Sequence, residues 1–153
     1  MMVRMARRVK EDYPEVELYE TNIDAMCMWL LKNPHDYGVL VTSNMFGDII
    51  SDLAGQLVGG LGFASSANIG DTYALFEPTH GSAPKYAGKY KVNPMAMLLA
   101  TKLMLEWLGE TNWAARLESA IASVVGESSV RTYDMGGTAS TLDVAEQVGR
   151  RVR

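Results

Sequence analysis

Apolar residues open the chain at helical spacing: Met2, Met5, Ala6 and Val9 recur with Arg and Lys between them, and Tyr13-Pro14 interrupts the pattern. The spacing predicts an amphipathic helix over 2–12, stopped where proline removes a backbone donor. "VELYE" (16–20) then alternates apolar and polar, "NIDAMCMWLLKN" (22–33) returns to the helical period, and "YGVLVT" (37–42) is a short β-branched run. These three predict strand, helix, strand. A further helix is predicted over "NMFGDIISDLAGQLV" (44–58), with Asn44 as its cap, and the glycines of "GGLG" (59–62) end it.

The texture changes after residue 63. "SSANIG" and "YALFE" read as strands, and the polar stretch 78–92, "PTHGSAPKYAGKYKV", has no periodicity. A loop of that length is commonly functional. Helices dominate thereafter, over 93–109 with Asn93 as cap and Pro94 in the first turn, over 111–125, and over about 140–151. The methionines between 95 and 104 read as core filling.

At 153 residues and 48% hydrophobic, the chain can bury a core of one ordinary domain. A net charge of −4 argues against a nucleic-acid surface, and the one basic cluster, Arg150, Arg151 and Arg153, is terminal. No apolar run approaches the roughly 18 residues of a membrane span. Cys27 is the single cysteine, so no internal disulfide forms, and a reducing cytoplasm is the expected location. The chain opens directly on a helix, without a first strand to complete a sheet.

Asp48 and Asp52 stand one helical turn apart on a largely apolar helix. Like charges at that spacing repel by a few tenths of a kcal/mol. A hard divalent cation would compensate them; equally, one could sit near the positive helix end while the other is solvated. Asp24, at the start of a different helix, is a candidate third carboxylate. Gly60-x-Gly62-x-x-Ser65 nearly matches a dinucleotide fingerprint but follows a helix rather than a strand, and is read as a helix stop. In "HGSAPKYAG", His80, the small residues Gly81, Ser82 and Ala83, then Lys85 and Tyr86, precede the helix capped at Asn93. Accessible backbone amides, a helix N-terminus and a lysine suit a phosphate-bearing ligand, although an ordinary surface loop has the same composition.

"NMFGDIISDLAGQLVGGLGFASSANIGD", "ALFEPTHGSAPKYAGKYKVNP" and "MLEWLG" resemble the metal-dependent β-decarboxylating dehydrogenases, the isocitrate and 3-isopropylmalate dehydrogenase family, from about residue 3 to residue 148. The resemblance implies an α/β fold of which this is the C-terminal portion. Residues 1–67 would belong to a small dimer-interface domain and 68–153 to a large α/β domain. It implies oxidation of a small 2-hydroxy acid by NADP or NAD, followed by loss of CO2, with Mg2+ or Mn2+ holding the developing oxyanion. Asp48 and Asp52 would be metal ligands of one subunit and Asp24 that of its homodimer partner. His80, Gly81, Ser82, Ala83, Lys85, Tyr86, Val92, Asn93 and Tyr133 would meet the adenosine end of the cofactor. Lys85, Tyr86 and Tyr133 resemble the set that reads the 2′-phosphate of NADP, as in the NADP-linked isocitrate branch. An arginine usual in that branch is replaced by Gly137. The family's catalytic lysine and tyrosine, and its substrate-binding arginines and serine, are expected upstream of Met1. The resulting expectation is part of an NADP-dependent isocitrate dehydrogenase that is inactive as this chain alone. Isopropylmalate, homoisocitrate or tartrate dehydrogenase, or a non-catalytic dimerisation or nucleotide-binding module, are the alternatives.

Overall fold

The computed structural model describes residues 1–127 and 129–153. They form two compact units, Met1–Leu57 and Val58–Arg153. Among the described residues, no helix is long and apolar enough to cross a membrane.

The first unit holds three helices: α1 (Met2–Asp12), α2 (Ile23–Lys32) and α3 (Asn44–Leu57). Helix α2 packs on α3 and buries Leu30 of the one and Ile50 and Gly55 of the other. Helix α1 buries none of its residues, and Met2, Met5 and Val9 stay about half exposed. The helix predictions hold here, but α3 starts at Asn44 itself, with Gly47 N–H donating to the Ser43 carbonyl at 2.8 Å. Asn44 is therefore inside the helix and not its cap.

The two predicted strands of this unit are not formed. Residues 16–20 and 37–42 are irregular, and Val39 and Val41 are 85% and 76% exposed. A strand exists only when a neighbour takes up its backbone donors and acceptors. Among the described residues of this unit, no segment pairs with either run. Their β-branched pattern is real, but the ladder it would join is absent.

The second unit begins with an antiparallel hairpin, β1 (Ser65–Ile69) and β2 (Ala74–Pro78), in which Ala67 lies opposite Phe76. Helix α4 (Met95–Trp107) packs across both strands, α5 (Thr111–Glu127) packs on α4, and α6 (Thr141–Arg151) on α5. Met95, Leu117, Ile121, Val124, Val144 and Val148 make the core where the three helices meet. Both hairpin strands and all three helices follow their sequence patterns, except that α4 starts at Met95 with Pro94 in the N-cap position, so Pro94 precedes the first turn instead of lying in it. Helix α6 starts on a capping box in which Ser140 Oγ accepts from the Asp143 amide while Asp143 accepts from Ser140 N–H. Those bonds from Ser140 hold the Asp143 carboxyl below its usual range.

Met95 is fully buried in the first turn of α4, next to the end of the long polar loop. Replacing it with Ala is expected to cost about 2–5 kcal/mol through lost transfer energy and an unfilled cavity. Urea unfolding would show this as a lower midpoint at unchanged slope; an unmoved midpoint would mean that the helix junction is not the core described.

Candidate functional site

Within the first unit, Asp48 and Asp52 lie on α3 and Asp24 in the first turn of α2. All three are exposed. Asp24 Oδ1 accepts the amide of Ala25 at 2.8 Å, a local bond at the positive end of its helix. The carboxylates of Asp48 and Asp52 accept no bond from a side chain or backbone donor among the described residues; only the Asp48 backbone carbonyl is engaged, by Ser51 Oγ at 3.1 Å. Their mutual repulsion is thus left uncompensated by the protein. Two free carboxylates one turn apart, their Cβ atoms about 5–6 Å from each other, provide the hard oxygen donors that Mg2+ and Mn2+ accept. Among the described residues, no three His, Cys, Asp or Glu side chains gather in one chain to enclose a metal. Asp24 therefore does not complete a site with Asp48 and Asp52 inside this chain.

The second unit brings residues from distant parts of the sequence together around the polar loop. Pro84–Tyr86 and Tyr133–Met135 each form a single 3-10 turn. These place the Tyr86 and Tyr133 rings 6.1 Å apart, inclined at 32°. Lys85 Nζ lies 5.4 Å from the centre of the Tyr86 ring, and Lys91 Nζ lies 5.1 Å from that of Tyr133 and 5.9 Å from that of Tyr86. Partial desolvation, reinforced by Tyr86, holds the Tyr133 phenol above its ordinary pKa, so it persists as a donor. The cluster is an exposed platform of two aromatic faces and two ammonium groups.

A network anchored on the buried Asn93 and Thr132 holds the platform in place. Asp134 accepts from Thr132 Oγ1 at 2.5 Å and from Asn93 Nδ2 at 2.9 Å, while Asn93 Oδ1 caps the Met95 amide at 3.0 Å. The turn bearing Tyr133 is thereby tied to the start of α4. Gly62 packs behind this network, its carbonyl accepting from Ala96 N–H at 2.8 Å, and a Cβ there would come within 2.7 Å of Asp134 Oδ2. That contact explains the glycine of "GGLG" without a dinucleotide loop. Thr141, at the start of α6, donates from its amide to the Tyr90 carbonyl at 2.7 Å and from Oγ1 to the Val92 carbonyl at 2.5 Å.

Of the residues expected at the adenosine site, Lys85, Tyr86 and Tyr133 converge, and Asn93 and Val92 support them through backbone and cap bonds. His80, Gly81, Ser82 and Ala83 form the preceding turn. His80 Nδ1 lies 3.0 Å from the Gly81 carbonyl, an oxygen that can only accept. His80, Gly81 and Ser82 make no hydrogen bond or ring contact with the tyrosine pair. Ala83, at φ 43°, and Tyr90, at φ 47°, are non-glycine residues in the left-handed region on either side of the loop. Lys91 was not singled out by sequence. It reads as one more solvated lysine, and only its place two residues before the Asn93 cap could have marked it.

The family model described as isocitrate/isopropylmalate dehydrogenase matches residues 2–148. The chain belongs to this family. A 3-isopropylmalate/3-methylmalate dehydrogenase of Methanocaldococcus jannaschii is 48% identical over 95% of the chain and 44% of the relative's length. Catalytic subunit 5 of the mitochondrial NAD isocitrate dehydrogenase of Arabidopsis thaliana is 45% identical over 97% of the chain and 40% of the relative. The crystal structure of isocitrate dehydrogenase from Methylococcus capsulatus superposes with a TM-score of 0.91 at 42% identity, over 99% of this chain and 45% of that one. The isocitrate dehydrogenase-like fold is therefore shown, and the chain spans less than half the length of the family members it matches.

Proposed function

We propose that these residues form the C-terminal part of an NADP-dependent isocitrate dehydrogenase that converts isocitrate to 2-oxoglutarate in the cytoplasm as a homodimer. The observation that bears this reading is the platform of Lys85, Tyr86 and Tyr133, whose cationic and phenolic donors suit the 2′-phosphate that distinguishes NADP from NAD. Residues 1–67 then supply the dimer-interface domain and 68–153 the adenosine side of the cofactor cleft. His80, Gly81, Ser82, Ala83, Val92 and Asn93 line that side.

Asp48 and Asp52 of one subunit, with Asp24 of the partner subunit, would hold Mg2+ or Mn2+. When bound, that ion supplies Lewis-acid polarisation of the substrate oxygen. Proton removal from the hydroxyl needs a base within hydrogen-bond reach. The lysines here, Lys10, Lys32, Lys85, Lys89, Lys91 and Lys102, stand on helices or on the cofactor loop, and Lys32, on the helix whose first turn holds Asp24, is at its opposite end. The base is assigned to a lysine and a tyrosine outside these 153 residues.

The 153-residue chain alone is accordingly expected to give no measurable isocitrate oxidation, and addition of the N-terminal half of a family member to restore some. Robust NADP reduction by the purified chain alone would sink the assignment of the base. The names of the similar proteins favour a second reading in each half: 3-isopropylmalate as substrate, named for several relatives, and NAD as cofactor, named for the isocitrate dehydrogenase subunits of Arabidopsis and Dictyostelium. Comparing kcat/KM of the native assembled protein for isocitrate and 3-isopropylmalate, each with NADP and NAD, separates the two. The highest value for 3-isopropylmalate with NAD would replace the first reading by the second.

A further inference from the structure

We infer that Lys91 is a second lysine that determines specificity for the 2′-phosphate, taking the place of a basic side chain that position 137 has no room to hold. The inference rests on the NADP reading above. A Cβ added at Gly137 would lie 2.0 Å from the carbonyl oxygen of Arg131 and 2.6 Å from its carbonyl carbon. These are backbone atoms and cannot swing aside. The same stretch is pinned by Gly137 N–H donating to the Thr132 carbonyl at 2.9 Å and Ala139 N–H to the Arg131 carbonyl at 2.9 Å. No side chain at 137 reaches the platform without displacing this backbone.

Lys91 joins Lys85 at the platform. Its ammonium faces both tyrosine rings, within 6 Å of each centre, while Lys85 faces Tyr86 alone. Neither lysine has a carboxylate partner among the described residues, and the nearby Asp134 carboxylate is already engaged by Thr132 and Asn93. Cation–π attraction at an exposed site is worth only about 0.5–1 kcal/mol, a modest return for gathering two like charges. A dianion placed over the rings would be attracted to both ammonium groups.

The backbone on either side of Lys91 is also fixed. Tyr90 takes a left-handed conformation and Val92 follows, and the carbonyls of both are held by the single residue Thr141. An exposed lysine on a clamped backbone loses less freedom on binding than one on a free loop. This separates Lys91 from Lys89 on the same stretch, whose side chain contacts neither ring.

The test is titration calorimetry on the native assembled protein with adenosine 2′,5′-bisphosphate and with 5′-AMP, which differ only in the 2′-phosphate. Lys91→Gln is expected to weaken the bisphosphate about tenfold, the weight of one charge-assisted contact, and to leave 5′-AMP unchanged. Lys91→Arg is expected to retain most of the affinity. If Lys91→Gln binds the bisphosphate as the unaltered protein does while Lys85→Gln loses it, Lys91 has no part and the NADP reading stands. If both lysine variants at 91 weaken the two nucleotides equally, its role is structural and the inference fails. If the unaltered protein binds the two nucleotides equally, the NADP reading fails and takes the inference with it.

Discussion

Substituting Asn for Asp48 is expected to make the metal-free protein no less stable, and slightly more so, while removing most of its response to Mn2+. The first effect follows from the geometry of α3, where two unpartnered carboxylates one turn apart repel by about 0.2–0.5 kcal/mol. The second follows from the loss of a charged oxygen donor. Losing even an outer-shell partner of a metal typically weakens binding by about 10–100-fold, and a direct ligand is expected to matter at least as much. A metal at about 100 times its Kd stabilises a protein by about 2.7 kcal/mol, so the variant forfeits most of that increment. Thermal melts with and without Mn2+, with calorimetric titration of the ion, check both halves. Unchanged affinity in the variant would remove Asp48 from the site. A loss of stability without metal would show that Asp48 has a structural partner instead.

Reversing the charge at Lys85 has the largest expected effect on cofactor choice. Lys85→Asp replaces an ammonium beside Tyr86 with a carboxylate, which repels the 2′-phosphate of NADP yet can accept from the free ribose hydroxyls of NAD. Like-charge juxtaposition in an interface costs several kcal/mol, so the NADP to NAD affinity ratio is expected to fall by about 100-fold or more. Direct titration of both cofactors reads the ratio. Equal weakening of the two would show that Lys85 does not read the phosphate.

The elements legible in the sequence were those whose stabilising contacts are local or whose partner follows closely. Helices α1 to α6 announce themselves by their own period, and β1 finds β2 across a four-residue turn. The runs 16–20 and 37–42 have the same kind of pattern, but a strand is a property of a pair, and their valines stand in water. The same distinction divides the site. Asp48 and Asp52 could be placed on one face from spacing alone. The pairing of Tyr86 with Tyr133 could not, because they meet only through Asp134 and Asn93, on separate parts of the chain. Tyr133 is marked by the resemblance alone, and Lys91 by neither spacing nor resemblance, since its meaning lies in the Tyr133 ring and in Thr141, both distant from it in sequence.

The left-handed residues Ala83 and Tyr90 have an evolutionary consequence. Each holds a conformation that costs a side-chain-bearing residue about 1–2 kcal/mol relative to the right-handed region, and glycine avoids most of that cost. Selection for thermostability alone would therefore drift towards glycine at both positions, trading a loop already set in shape for one that must be ordered at each encounter with a ligand. Alanine and tyrosine at these two positions set endurance against recognition within a single loop.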